Sequence, residues 1–162
     1  PRQWVSNWTN QKRQRASMDA QNGLSPADAA LHISLRRKVL KALADEGAPL
    51  LMGTDSPQMF NVPGFALHRE LQVALQAGLT PYQILESGTK NVGRYVAQDL
   101  KQDGNFGTVT VGSRADLVLL DANPLTDLGN LSKRAGVMVR GRWVSRAEID
   151  KGLERLAARY AN

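Results

Sequence analysis

Asp55 stands just past a short apolar run, Leu50-Leu51-Met52, within Gly53-Thr54-Asp55-Ser56. A carboxylate at such a place can give oxygen to a divalent cation, and it can take up and release a proton during hydrolysis. It can also do something plainer and cap the turn that follows a strand. Other groups capable of chemistry are few. The chain has two histidines, His32 and His68, and no cysteine, which excludes a thiolate metal site and a disulfide framework. Neither histidine has a second one three or four positions away, so no helix face carries a chelating pair. His32 reads as a helix-flank residue. His68, in Leu67-His68-Arg69-Glu70-Leu71, either faces a site or covers the side of the fold. Asp116 and Asp121 read as turn residues. A catalytic zinc needs about three protein ligands, so Asp55 with these residues does not make such a centre.

The elements that must position Asp55 follow from spacing. Ser25-Pro26-Ala27-Asp28 starts a helix: Ser25 caps, Pro26 takes the first helical position, and Asp28 meets the positive end of the helix dipole. Leu31, Leu35, Val39 and Leu43 then recur every fourth residue, which predicts one buried stripe, and Gly47 predicts a left-handed stop. Ala48 to Met52, all apolar between two glycines, predicts a strand buried on both faces, with Thr54, Asp55 and Ser56 at its C-terminal end. In barrels and open α/β sheets that end is where ligands bind. Pro63 to Ala77 predicts a helix stopped by Gly78, and Thr80-Pro81-Tyr82-Gln83 a second one opened by a capping box. Thr89 and Asn91 interrupt that second helix and are expected to bond locally.

Beyond Asp103-Gly104-Asn105 the period shortens. Thr108 to Val111 alternates, Ala115 to Leu120 is a run of β-formers, and Val137-Met138-Val139 and Trp143-Val144 flank Arg140-Gly141-Arg142, a hairpin signal. Ser145-Arg146-Ala147-Glu148 is a further capping box, opening a helix that carries Ile149, Leu153, Leu156 and Tyr160. An α/β part over 1–103 followed by a β-rich part over 104–162 is the expected division. Residues 1 to about 24 are polar, and Trp4 and Trp8 are expected to anchor them.

Composition sets outer limits. The chain has 162 residues, 42% of them hydrophobic, which fits a globular protein and is too apolar for disorder. No apolar run approaches the roughly 20 residues that span a bilayer, so no membrane partner is expected. The net charge of +6 raises a nucleic-acid partner, but the basic residues are scattered and no aromatics interleave with them, so a solvated surface is the expectation. The sequence starts at Pro1 without an apolar leader. That start is expected of a processed, truncated or incomplete chain, and the compartment stays open.

In order, the blocks Gly53-Thr54-Asp55-Ser56, Pro63-Gly64-Phe65 with Leu67-His68-Arg69-Glu70-Leu71, Ala77-Gly78-Leu79-Thr80-Pro81 through Thr89-Lys90-Asn91, and Gly107 through Ala115-Asp116-Leu117-Val118-Leu119-Leu120-Asp121-Ala122-Asn123-Pro124-Leu125 resemble the C-terminal part of the amidohydrolase superfamily. The resemblance covers about 38 to 144 and is nearest to the imidazolonepropionase-like and prolidase-like branch. It departs at Val111, where proline is common, and at Gly93, where alanine is usual. It implies the C-terminal portion of a metal-dependent (β/α)8 TIM barrel, with Leu50 to Gly53 as its last strand, and the returning strands of a small composite β-sandwich. It implies hydrolysis of carbon–nitrogen bonds (amide, cyclic amide or peptide-like), with Asp55 as metal ligand and proton shuttle and His68 either substrate-side or packing. It implies one or two divalent ions, zinc foremost, with manganese or iron also suited to oxygen and imidazole donors. The family's His-x-His pair and further histidine ligands have no match in this sequence. The partner expected is therefore the missing N-terminal barrel segment or a second polypeptide, with oligomerisation, beside a small-molecule amide substrate. Two other classes compete. A non-catalytic scaffold or interaction domain derived from that fold would lose nothing on Asp55→Ala. A basic nucleic-acid-binding module would show strongly salt-dependent binding.

Overall fold

Helix α1 spans Pro26–Asp45 in the computed structural model, which describes residues 9, 10, 12–14, 16, 23, 25–57 and 61–160. Its start is the one the sequence sets: Ser25 Oγ accepts from the Asp28 N–H at 3.1 Å, with proline in the first turn. Its stop is also the expected one, Gly47 at φ 71 with the Ala48 N–H donating to the Leu43 carbonyl at 2.9 Å. The stripe differs. Leu31, Leu35, Val39 and Leu43 are 56%, 50%, 59% and 45% exposed, so the periodicity marks the right helix while the described residues leave its apolar ridge uncovered. Trp4 and Trp8 lie outside the described residues.

The chain divides into two units, one of residues 1–48 and 52–79 and the other of 49–51 and 80–162. In the first, α1 packs on α2 (Phe65–Gln76). Arg37 of α1 donates to the side-chain carbonyl of Gln76 at 2.5 Å, and Ala66, Leu71, Ala74, Ala77 and Leu79 are the buried apolar residues.

In the second unit, the long helix expected from Pro81 is two helices, α3 (Pro81–Ser87) and α4 (Lys90–Gln98). The capping box forms: Thr80 Oγ1 accepts from the Gln83 N–H at 3.2 Å, and the Thr80 N–H donates to Gln83 Oε1 at 2.9 Å. Thr89 bonds locally as expected, its hydroxyl donating to the Leu85 carbonyl at 2.7 Å, and its backbone leaves the helical region between α3 and α4. Strand β1 (Leu117–Leu120) pairs antiparallel with β2 (Arg134–Val139), which pairs antiparallel with β3 (Arg142–Ser145). A five-residue 3-10 turn, Leu128–Ser132, leads into β2. Arg140 and Gly141 link β2 to β3, both at positive φ (49 and 80), the tight hairpin the sequence signals. Helix α5 (Arg146–Tyr160) packs on β2 and β3. Its capping box is present, the Ser145 N–H donating to Glu148 Oε2 at 2.8 Å. Ile84 and Leu128 are the side chains fully buried among the described residues.

Two expected strands take another form. Thr108 to Val111 lies outside the ladder and Val109 and Val111 face solvent. Ala48 to Met52 has no ladder partner among the described residues, yet 48, 50, 52, 54 and 56 are half-buried while 49, 51, 53, 55 and 57 are exposed. That is the two-residue period of extended chain. Together these elements form an α/β fold with a small antiparallel sheet and several helices.

Candidate functional site

Asp55 falls on the exposed register of this extended stretch, one residue beyond a half-buried Thr54 and one before a half-buried Ser56. Its φ is 52, the left-handed region that few residues with a Cβ adopt and that Asp and Asn tolerate best. Its neighbours form a closed hydrogen-bond ring. Thr54 Oγ1 donates to Ser56 Oγ at 3.0 Å, and the Ser56 N–H donates to Thr54 Oγ1 at 3.4 Å. Ser56 Oγ donates to Asn61 Oδ1 at 3.1 Å, and Asn61 Nδ2 donates to the Thr54 carbonyl. The peptide between Ser56 and Pro57 is cis.

His68 lies in the first turns of α2 and is exposed, off the face on which Ala66, Leu71 and Ala74 are buried. His32 is exposed on α1. Of the two aspartates read as turn residues, Asp116 directly precedes β1 and Asp121 follows it at a bend. Asp116 accepts from the Arg140 N–H at 2.7 Å and from Arg114 Nε at 2.6 Å. The Arg140 N–H foremost, with Arg114 beside it, holds the Asp116 carboxyl below its ordinary pKa. The Asp121 N–H donates to the Lys133 carbonyl at 2.9 Å. A cavity of about 750 Å³ between α1 and α2, lined by Ile33, Arg37, Lys41 and Gln76 among others, includes neither Asp55 nor His68.

No grouping of three or more His, Cys, Asp or Glu side chains that could hold a metal ion occurs among the described residues. As a donor set they do not fit a divalent ion. What they offer is one exposed carboxylate on a locally braced turn. Among the described residues no helix is long and apolar enough to cross a membrane.

Two asparagines bear on this stretch, one that the sequence did not single out and one expected to bond only locally. Asn61 closes the ring around Asp55. Asn91, expected to bond locally, instead sends Nδ2 across to the Leu50 carbonyl at 3.0 Å, 41 positions back along the chain, and is itself buried. It satisfies a carbonyl of the extended stretch that no strand pairs. Neither asparagine carries a local signal, because each bonds to a residue beyond its own turn.

The profile of the amidohydrolase family matches residues 9–144. No curated protein matches the chain. Three similar solved structures place the fold. A Xaa-Pro dipeptidase with methionine bound in its active site is 20% identical, with a TM-score of 0.54 over 67% of this chain and 25% of that one. A prolidase complexed with N-methylphosphonate-L-proline is 27% identical, with a TM-score of 0.53 over 81% of this chain and 32% of that one. Molinate hydrolase is 23% identical, with a TM-score of 0.54 over 81% of this chain and 30% of that one. The chain thus spans a quarter to a third of the length of the structures it matches.

Proposed function

Because the chain belongs to the amidohydrolase family, we propose that it is the C-terminal segment of a metal-dependent hydrolase of carbon–nitrogen bonds, with Asp55 as one metal ligand and as the proton carrier. The other ligands come from outside these 162 residues, from an N-terminal barrel segment of the same protein or from a second polypeptide. The domains in this reading are a barrel portion over 1–103 and sandwich strands with the last helix over 104–162. Zinc, as one or two ions, suits a site of oxygen and imidazole donors. The prolidase among the similar structures supports a peptide-like amide as substrate class. His68, exposed early in α2, is assigned to the substrate side.

The observation that carries the reading is the presentation of Asp55. An extended stretch of alternating exposure ends in a braced turn at which Asp55 is an exposed residue. A divalent ion, when bound, lowers the pKa of a water to about 7 and so makes a nucleophile at neutral pH. The Asp55 carboxylate does the rest of the work assigned to this chain. It would help to hold such an ion, and it would take the proton from the attacking water and return it to the leaving nitrogen. Amide nitrogen leaves poorly as an anion, so that returned proton is needed for the bond to break.

Asp55→Asn in the active protein is the test. Asparagine keeps the size and tolerates φ 52, so the backbone stays while the proton acceptor goes. The expected result is a fall in kcat of about 100- to 10,000-fold in protein that still folds. Unaltered turnover would remove Asp55 from the reaction and leave a scaffold derived from the same fold.

A further inference from the structure

We propose that Asn61 is a positioning residue for Asp55, gripping both of its chain neighbours with a single side-chain amide. The inference rests on the role assigned to Asp55 above. An asparagine amide offers one acceptor and one donor on a rigid plane. Here the acceptor takes Ser56 Oγ at 3.1 Å, one residue after Asp55, and the donor takes the Thr54 carbonyl, one residue before it. The Thr54 and Ser56 hydroxyls close the bracket at 3.0 Å. Thr54, Ser56 and Asn61 are half-buried while Asp55 is exposed, so the ring turns inward and aims Asp55 outward.

The bracket matters because of where Asp55 sits in backbone space. At φ 52 the aspartate occupies a minor well, and relaxation to negative φ rotates Cβ and the carboxylate away from their present direction. Holding the Thr54 carbonyl on one side and the Ser56 hydroxyl on the other restricts that freedom. Asn61, six positions after Asp55 in the sequence, does this from outside the turn by reaching both Thr54 and Ser56. A carboxylate that must both hold an ion and exchange a proton is sensitive to such aim, since a misplacement of about 1 Å can cost on the order of 100-fold in rate. Groups that orient a ligand from behind typically contribute about 10- to 100-fold.

The test is a double-substitution cycle in the active protein, with Asp55→Asn, Asn61→Ala and the pair together, read as kcat and KM separately. Amide hydrogen exchange of 54–57 and of α2 is followed on the same samples. Asn61→Ala is expected to lower kcat by about 10- to 100-fold with KM little changed. It is expected to add no further loss once Asp55 is asparagine, because the bracket then has no carboxylate to aim. Exchange should quicken in 54–57 and stay slow in α2. Where Asn61→Ala fails to accumulate as folded protein, Asn61→Asp, which removes the donor and keeps the shape, takes its place with the same expectation. Wild-type kcat in the Asn61 variant, or the same fold-loss in both backgrounds, overturns the inference and leaves Asp55 in place. Full activity of Asp55→Asn alone overturns the reading of Asp55, and this inference falls with it.

Discussion

At Asp55 an aspartate combines two carboxylate oxygens with tolerance of a left-handed backbone, φ 52. Alanine there loses the carboxylate and strains the turn together, so Asp55→Ala should melt below Asp55→Asn, by roughly 1 kcal/mol in stability. Equal melting temperatures would mean the turn relaxes without its aspartate. Close approach decides another residue. A Cβ at Gly93 would come within 2.2 Å of the Phe106 carbonyl oxygen, which explains glycine at a place where the family resemblance leads one to expect alanine. Gly93→Ala should cost about 1–3 kcal/mol in thermal or urea unfolding, and an unchanged midpoint would contradict the packing of α4 against 104–106. The candidacy of Asp55 was legible in its place after an apolar run. Its φ and the reach of Asn61 and Asn91 were not, since the asparagines meet partners 5 to 41 positions away and no spacing rule encodes that.

Elements with local causes were the legible ones. Both capping boxes, at Thr80 and Ser145, form as their four-residue signatures require, because cap and partner are fixed within one turn. Thr80→Ala should therefore cost about 1 kcal/mol, read by urea unfolding of the active protein, and no change would mean the Thr80 cap carries no stability. The Ser145 hydroxyl first, and its N–H next, hold the Glu148 carboxyl below its ordinary pKa, as Arg140 and Arg114 hold Asp116. Both carboxyls are lowered by folding, so their stabilisation is complete above the unfolded value and is lost as pH falls through the folded one. Carbon-13 titration of the two side chains should place each midpoint below that of an ordinary carboxyl of its own type, and ordinary midpoints would contradict the two contacts. Strands were less legible. Val109 and Val111 alternate as a strand does but stay outside the ladder. The run at 48–52 is extended and unpaired among the described residues. A helix closes its bonds within itself, whereas a strand exists through a neighbour that pattern alone does not name.

At the scale of the whole molecule the apolar surface is the main fact to account for. The ridge Leu31, Leu35, Val39 and Leu43 on α1, together with Val118 and Leu119 on the edge strand β1, is exposed in the described chain. Exposed apolar stripes and unpaired strand edges are features that proteins normally cover. The chain also spans 25 to 32% of the solved structures it resembles. Both observations support the proposal that the working enzyme contains more than this segment, and that the segment contributes Asp55 to a centre whose other ligands lie elsewhere. Native mass spectrometry of the purified protein, with metal analysis on the same sample, tests that claim most directly. The account predicts that these 162 residues appear within a longer chain or bound to a second polypeptide, with about one or two metals per complete unit and reduced metal retention in Asp55→Asn. A chain of 17.7 kDa running alone, loaded with stoichiometric metal and hydrolysing an amide that Asp55→Asn abolishes, would contradict it.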